Sequence, residues 1–225
     1  MTLNNHHPWR LWQFIDTAFP SGGFAHSAGL EASWRYCAIR DRQGLADFFE
    51  ASLRQAGRSG LPFVKSAFLE PDRLAEFLRL YHAFLSNHVA NRASRAQGAS
   101  LLASTAKAFP ETVLPTLRRT MKQEDLPSHF APLFGVITAS LGFHSLEAGR
   151  AFLFILLRDL ISSAVRLNAI GPLEGQRIQG QMAALAEDIM DTCWVRTIEE
   201  FAHTCPMQDL HQANHEFLYT RLFQS

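Results

Sequence analysis

SLEAGRAFLFILLRDLISSAVRLNAIG, residues 145–171, is the stretch that decides the fold class. Leu153, Leu156, Leu157, Leu160, Ile161, Ala164, Val165 and Leu167 recur at helical spacing. Arg158, Asp159, Ser162, Ser163 and Arg166 are left as one narrow polar strip on an otherwise apolar cylinder. Such a helix needs protein on most of its sides. A membrane span would need about twenty uncharged apolar residues, and the adjacent Arg158 and Asp159 fall mid-run, where each would be costly in lipid. The spacing therefore predicts a buried helix, with Ser145 as N-cap, Glu147 in the first turn, Arg166 near the C-terminal dipole and Gly171-Pro172 as left-handed cap and stop.

Working outward, the chain has 225 residues, 47% of them hydrophobic and 19% charged, enough for one domain with a sizeable core. Lys plus Arg equals Asp plus Glu at 21 each, so no global field draws the chain to nucleic acid or an anionic membrane. Residues 1–8 lack a basic start followed by an apolar segment, and a cytoplasmic location is expected. Cys37, Cys193 and Cys205 cannot all pair and form no C-x-x-C, which fits reduced thiols.

The rest of the chain alternates helix and turn. Near the start, Trp9, Trp12, Ile15 and Phe19 form an apolar stripe at helical spacing, and Pro20-Ser21-Gly22-Gly23 ends it. A second helix is expected from about His26 or Ser27. The turn is no phosphate loop, because it has neither G-x-x-x-x-G-K-[ST] nor G-x-G-x-x-G and no strand-like run precedes it. Asp41 can cap a helix bearing Leu45, Phe48, Phe49 and Leu53, and Pro71 opens one bearing Leu74, Phe77, Leu78, Tyr81, Phe84 and Leu85. Gly135, Ala139 and Gly142 are small residues that allow close helix approach. Residues 175–194 read as one amphipathic helix with Ile178, Met182, Leu185, Ile189 and Met190 inward. The expected architecture is an all-α, single-domain helical bundle of about ten helices around the central apolar helix, occupying residues 1–225.

Catalytic signatures are missing: there is no H-E-x-x-H and no G-x-S-x-G. His211 and His215 stand at i and i+4 near Cys205 and Asp209, a spacing that suits Zn or Ni on one helical face. With ten histidines one such pair is expected by chance. No catalytic residue and no metal ligand is assigned. A His-rich metal-binding protein and a helical binding module are the alternatives.

Five segments carry a family resemblance. FPSGGFAHSAGLEA contributes Phe24, His26, Ser27, Gly29, Leu30 and Glu31; NRASRAQG contributes Asn91, Arg92, Ser94, Gln97 and Gly98. HFAPLFG from His129, AVRLNAIG around Arg166, and the C-terminal His215-Glu216-x-x-Tyr219-x-Arg221-Leu222-Phe223-x-Ser225 complete the set. Together they resemble UreF, the F-type urease accessory protein. His26 stands where many members carry Tyr, Ala25 replaces a common Ser, and Gln224 replaces an Arg of the usual tail.

The resemblance implies a non-catalytic chaperone, usually dimeric, that binds the UreD/UreH-type accessory protein, recruits the GTPase UreG and engages apo-urease. No cofactor would be bound tightly, and nickel would be handled by the assembled complex. His215, Glu216, Tyr219, Arg221, Leu222, Phe223 and Ser225, within a docking tail around residues 207–225, are expected to face the UreD/UreH-type partner. Leu222 and Phe223 would fill its pockets. Pro20, Gly22, Gly23, Phe24, His26, Ser27, Glu31 and Arg166 are expected to face UreG. Removal of residues 216–225 is expected to leave the helical core folded. No nucleic acid and no membrane is expected as a partner.

Overall fold

The computed structural model describes residues 8–225, and among them the chain is all-α with no strand. In chain order the helices are α1 (Pro8–Ile15), α2 (Leu30–Arg35), α3 (Arg42–Ser59), α4 (Leu61–Leu69), α5 (Leu74–Phe84) and α6 (His88–Ala108). They continue as α7 (Leu114–Gln123), α8 (Phe130–Ser140), α9 (Ser145–Arg166), α10 (Pro172–Gln181), α11 (Ala183–Cys193) and α12 (Pro206–Ala213). Tight 3-10 turns occupy Gly23–Ala25, Pro71–Arg73, Ile198–Glu200 and Asn214–Phe217.

Local chemistry sets these boundaries. Asp41 Oδ1 accepts the Gly44 N–H at 2.8 Å to start α3, and Asn87 Oδ1 accepts the Val89 and Ala90 N–H groups to start α6. The caps of α9 differ from those expected. His144, not Ser145, is the N-cap, because Glu147 reaches back three residues to the His144 N–H at 2.9 Å. At the other end Asn168 takes the left-handed conformation (φ 61°), while Gly171 is extended. The Ala169 N–H bonds the Ala164 carbonyl and the Asn168 N–H bonds that of Val165, both at 3.0 Å, which satisfies carbonyls the helix end would otherwise orphan. The single helix expected over residues 175–194 is two, interrupted at Met182. Its N–H still bonds Ile178 and its carbonyl still accepts Ala186, so the chain bends without losing those bonds.

The densest packing is α4 against α8. Every residue of α8 from Ala131 to Thr138 is buried, and a Cβ on Gly135 would collide with the Val64 carbonyl. The buried Thr138 hydroxyl donates back to the Phe134 carbonyl at 2.7 Å. Phe134 lies edge-on to Phe14 and Phe152 at centroid separations of 5.3 and 5.4 Å, so α1 is fastened through Phe14. This corrects the stripe expected on α1. Trp9 and Trp12 are 76% and 55% exposed and lie against each other at 5.1 Å, while Leu11, Phe14 and Ile15 form the inner face. Helix α9 lies against α3, α4, α8, α10 and α11, with Phe154 partly exposed. No helix among the described residues is long and apolar enough to cross a membrane.

Two glycines differ in what surrounds them, Gly135 in the α4–α8 contact and Gly180 outside it. Gly135→Ala should cost about 1–3 kcal/mol by forcing the helices apart. Gly180→Ala in α10, where nothing lies within 4 Å, should be neutral or stabilising by up to about 1 kcal/mol. Urea denaturation of both variants measures the difference, and equal midpoints would contradict the packing.

Candidate functional site

Helix α2 starts later than expected, at Leu30, because Ala28 and Gly29 are both left-handed (φ 50° and 86°). That turn drives Glu31 inward until its side chain is wholly buried. A carboxylate withdrawn from water costs several kcal/mol unless donors replace the lost hydration. Three do so. Glu31 Oε2 meets His215 Nε2 at 3.0 Å and accepts the Phe223 N–H at 3.1 Å, and Oε1 accepts the Leu222 N–H at 2.8 Å.

From this anchor residues 222–225 run beside residues 24–27. The Gln224 N–H donates to the Ala25 carbonyl at 2.8 Å, and the Ser27 N–H and hydroxyl donate to the Ser225 backbone oxygen at 2.6 and 3.0 Å. His26 Nδ1 and Ser225 Oγ are 2.6 Å apart. The polar strip of α9 forms the bed beneath. Arg166 donates to the Phe24 carbonyl, and its guanidinium lies 3.8 Å from the centre of the Phe24 ring and 4.2 Å from that of Phe223. Ser163 Oγ donates to the Asp159 carbonyl at 2.9 Å. Arg158 pairs with Asp159 at 2.8 Å and donates to the Ile15 carbonyl, tying α1 to α9. Burial raises the Asp159 carboxyl above its usual value, against the pull of Arg158.

The glycine turn is fitted to the same bed. Gly22 needs its left-handed φ of 84°, and Gly23 has no room for a Cβ beside the Asp159 carboxylate. Ser104 Oγ donates to the Pro20 carbonyl at 2.8 Å. On the outer side, Glu216 is held by Arg92 at 2.6 Å and His88 at 2.8 Å from the first turns of α6, and hydrogen bonds from His88 and Arg92 push its carboxyl down to about 2.

A second joint unites the two middle segments of the resemblance. His129, wholly buried, places Nε2 3.0 Å from His82 Nδ1 and Nδ1 3.2 Å from Ser94 Oγ. Ser94 Oγ also accepts the Phe130 N–H at 3.1 Å, and Asn91 bonds the His82 and Leu85 carbonyls. Burial, with His82 and Arg95 nearby, pushes the His129 imidazole down to about 3, so it is neutral.

The structure thus brings the first and last motifs together but divides their residues between inside and outside. His215, Phe223 and Ser225 are buried within the chain, as are Gly23, His26, Ser27 and Glu31. The expectation that Phe223 stands free to fill a partner's pocket is corrected: its ring is packed on Arg166, because the Glu31 carboxylate captures its N–H. Outside remain Pro20, Phe24, Phe217, Tyr219, Arg221 and Leu222, with Tyr219 fully exposed. Phe217, 79% exposed, was not singled out in the sequence, although it belongs to the same tail. The i, i+4 reading of His211 and His215 also gives way. They lie on α12 and on the following 3-10 turn, and His215 Nε2 is engaged by Glu31. Among the described residues no group of three or more His, Cys, Asp or Glu side chains is placed to hold a metal. Removing residues 216–225 would strip Glu31 of two donors, so the expectation of an undisturbed core is replaced by one of lost stability around α2.

The UreF family model matches residues 39–183, well over half of the chain. The chain belongs to the UreF family. It is 38% identical to urease accessory protein F of Oryza sativa subsp. indica, over 99% of this chain and 87% of that protein. Urease accessory protein F of Arabidopsis thaliana is 34% identical over 96% of this chain and 92% of its own length. Urease accessory protein UreF of Paenarthrobacter aurescens (strain TC1) is 28% identical over 96% of both. The resemblance read from five motifs is therefore that of a UreF-family chain over nearly its whole length.

The buried imidazoles give this UreF-family chain an acid sensitivity. Burial lowers both His26 and His129, so the unfolded chain binds protons that the native one refuses. For His129 the contribution is complete above about pH 6.5 and is lost as pH falls from there toward about 3, with a slope approaching 1.4 kcal/mol per pH unit, and His26 acts in the same direction. Urea midpoints measured from about pH 7.5 down to about pH 5 should fall, and His129→Gln should flatten the decline. An unchanged slope in that variant would contradict a neutral buried His129.

Proposed function

We propose that this chain serves urease maturation as a non-catalytic chaperone, binding the UreD/UreH-type accessory protein, recruiting the GTPase UreG and engaging apo-urease. Nickel passes as cargo through the assembled complex in this reading, and the chain works as a cytoplasmic homodimer. The names of its relatives, urease accessory proteins, support the urease context. The observation that carries the docking role is the exposure of Phe24, Phe217, Tyr219 and Leu222, the ledge of this reading, on the two segments that the buried Glu31 clasp joins. Binding energy at protein interfaces is concentrated in a few residues, among which Tyr and Arg are enriched. A ledge ordered beforehand loses little further conformational entropy on docking.

The tail side of the ledge, with Phe217, Tyr219, Arg221 and Leu222, is assigned to the UreD/UreH-type partner. The turn side, with Pro20, Phe24 and Arg166, is assigned to UreG. Tyr219→Ala combined with Leu222→Ser removes exposed groups only. The double variant should keep its thermal midpoint while copurification with the UreD/UreH-type protein falls at least about tenfold, equivalent to roughly 1.4 kcal/mol. Undiminished copurification would refute the assignment. A wild-type chain that captures neither accessory protein would favour a helical module outside urease maturation.

A further inference from the structure

Away from the clasp, helices α6 and α7 separate to leave a groove of about 620 Å³. It lies toward the end of α6 that carries Lys107, roughly 20 Å along the helix from Arg92 and the clasp. Its accessible apolar floor is made by Ala99, which is exposed, and by Pro115 and Leu126, which are half-buried, with Leu102 and Met121, each only 3% exposed, beneath them. Both rims are cationic and exposed: Lys107 on α6 faces Arg118, Arg119 and Lys122 on α7. Asp125 is the single carboxylate in the lining. None of these four cations forms an ion pair among the described residues, whereas Arg10, Arg73, Arg92 and Arg150 elsewhere all do. Acids and bases balance over the whole chain, so the excess is local. Helix α7 carries Arg118, Arg119 and Lys122 with no acidic residue, and like charges three and four apart on one helix repel.

The shape and chemistry select among anionic occupants. A nucleic acid would find four cations and no exposed aromatic ring in the lining on which a base could stack. A bilayer needs apolar groups that protrude, and here they form the floor. An amphipathic helix matches on both counts: its aliphatic side chains reach the Ala99, Pro115 and Leu126 floor, and carboxylates on either flank meet Lys107 and the α7 cations. We propose that the α6–α7 groove docks an acidic amphipathic helix of a partner protein. The surface is separate from the aromatic ledge, and the assignment does not depend on the partners proposed for that ledge.

The test is fluorescence anisotropy of the full chain at low salt with a labelled peptide that carries Leu at helical spacing (i, i+3, i+4, i+7) and Glu elsewhere. Saturable binding is expected, weakening as salt rises. Arg118→Glu/Arg119→Glu/Lys122→Glu should weaken it at least tenfold, as should Lys107→Glu on the opposite rim, with the circular dichroism melt of each variant confirming the fold. If the triple variant does not fold, the Lys107→Glu result decides. The absence of saturable binding, or binding unaffected by rim reversal, would overturn the proposal. So would an all-Glu peptide, tripolyphosphate, oligothymidylate or phosphatidylserine vesicles binding as tightly as the amphipathic peptide.

Discussion

The buried carboxylate of Glu31 is the constraint on which the functional end of this molecule depends. An ionised carboxylate without hydration is among the most expensive groups to enclose, and breaking a buried pair by removing one partner costs more than the pair itself contributes. Here the donors come from the far end of the chain: the His215 ring and the Leu222 and Phe223 amides. Satisfying one acid residue therefore fixes the path of the C-terminal segment. Once Leu222 and Phe223 are held, Gln224 and Ser225 fall into bonding register with Ala25 and Ser27, and the Phe223 ring reaches Arg166.

This arrangement turns a flexible-looking tail into part of the fold and divides its labour. The groups that look most like anchors in the sequence, Phe223 and His215, are spent internally. The alternate positions, Leu222 and Tyr219, are presented to solvent from a braced backbone. Arg166 links the two halves because one planar cation lies near both Phe24 and Phe223 while bonding the Phe24 carbonyl. The polar strip of α9 is thus a seat for the chain's two terminal regions within the described residues.

Periodicity made α9 legible because Leu153 through Leu167 share one repeat, and the family motifs pointed to the segments that meet at the clasp. Its caps were harder to place. The N-cap is set by where the Glu147 carboxylate can reach, and the left-handed residue by where the helix ends, so His144 and Asn168 take the positions that composition assigned to Ser145 and Gly171. The Trp9 and Trp12 stripe misled because apolar spacing does not say which of two faces finds a pocket, and Phe14 found the one beside Phe134 and Phe143. The tail misled for a different reason. Its inward turn is driven by polar donors to a carboxylate almost two hundred positions earlier, a pairing invisible to hydrophobic pattern. The paired signals were present, since Glu31 and His215 each end or begin a motif, but only the fold shows that they touch.

Amide hydrogen exchange tests the Glu31 clasp most directly. In the wild-type chain the Leu222 and Phe223 N–H groups should be protected, and Glu31→Ala should reduce their protection at least about a hundredfold while Leu133 and Ile137 in α8 remain as slow as before. Unchanged protection at Leu222 and Phe223 in Glu31→Ala would contradict the account, because the segment would then be held by something other than the buried carboxylate.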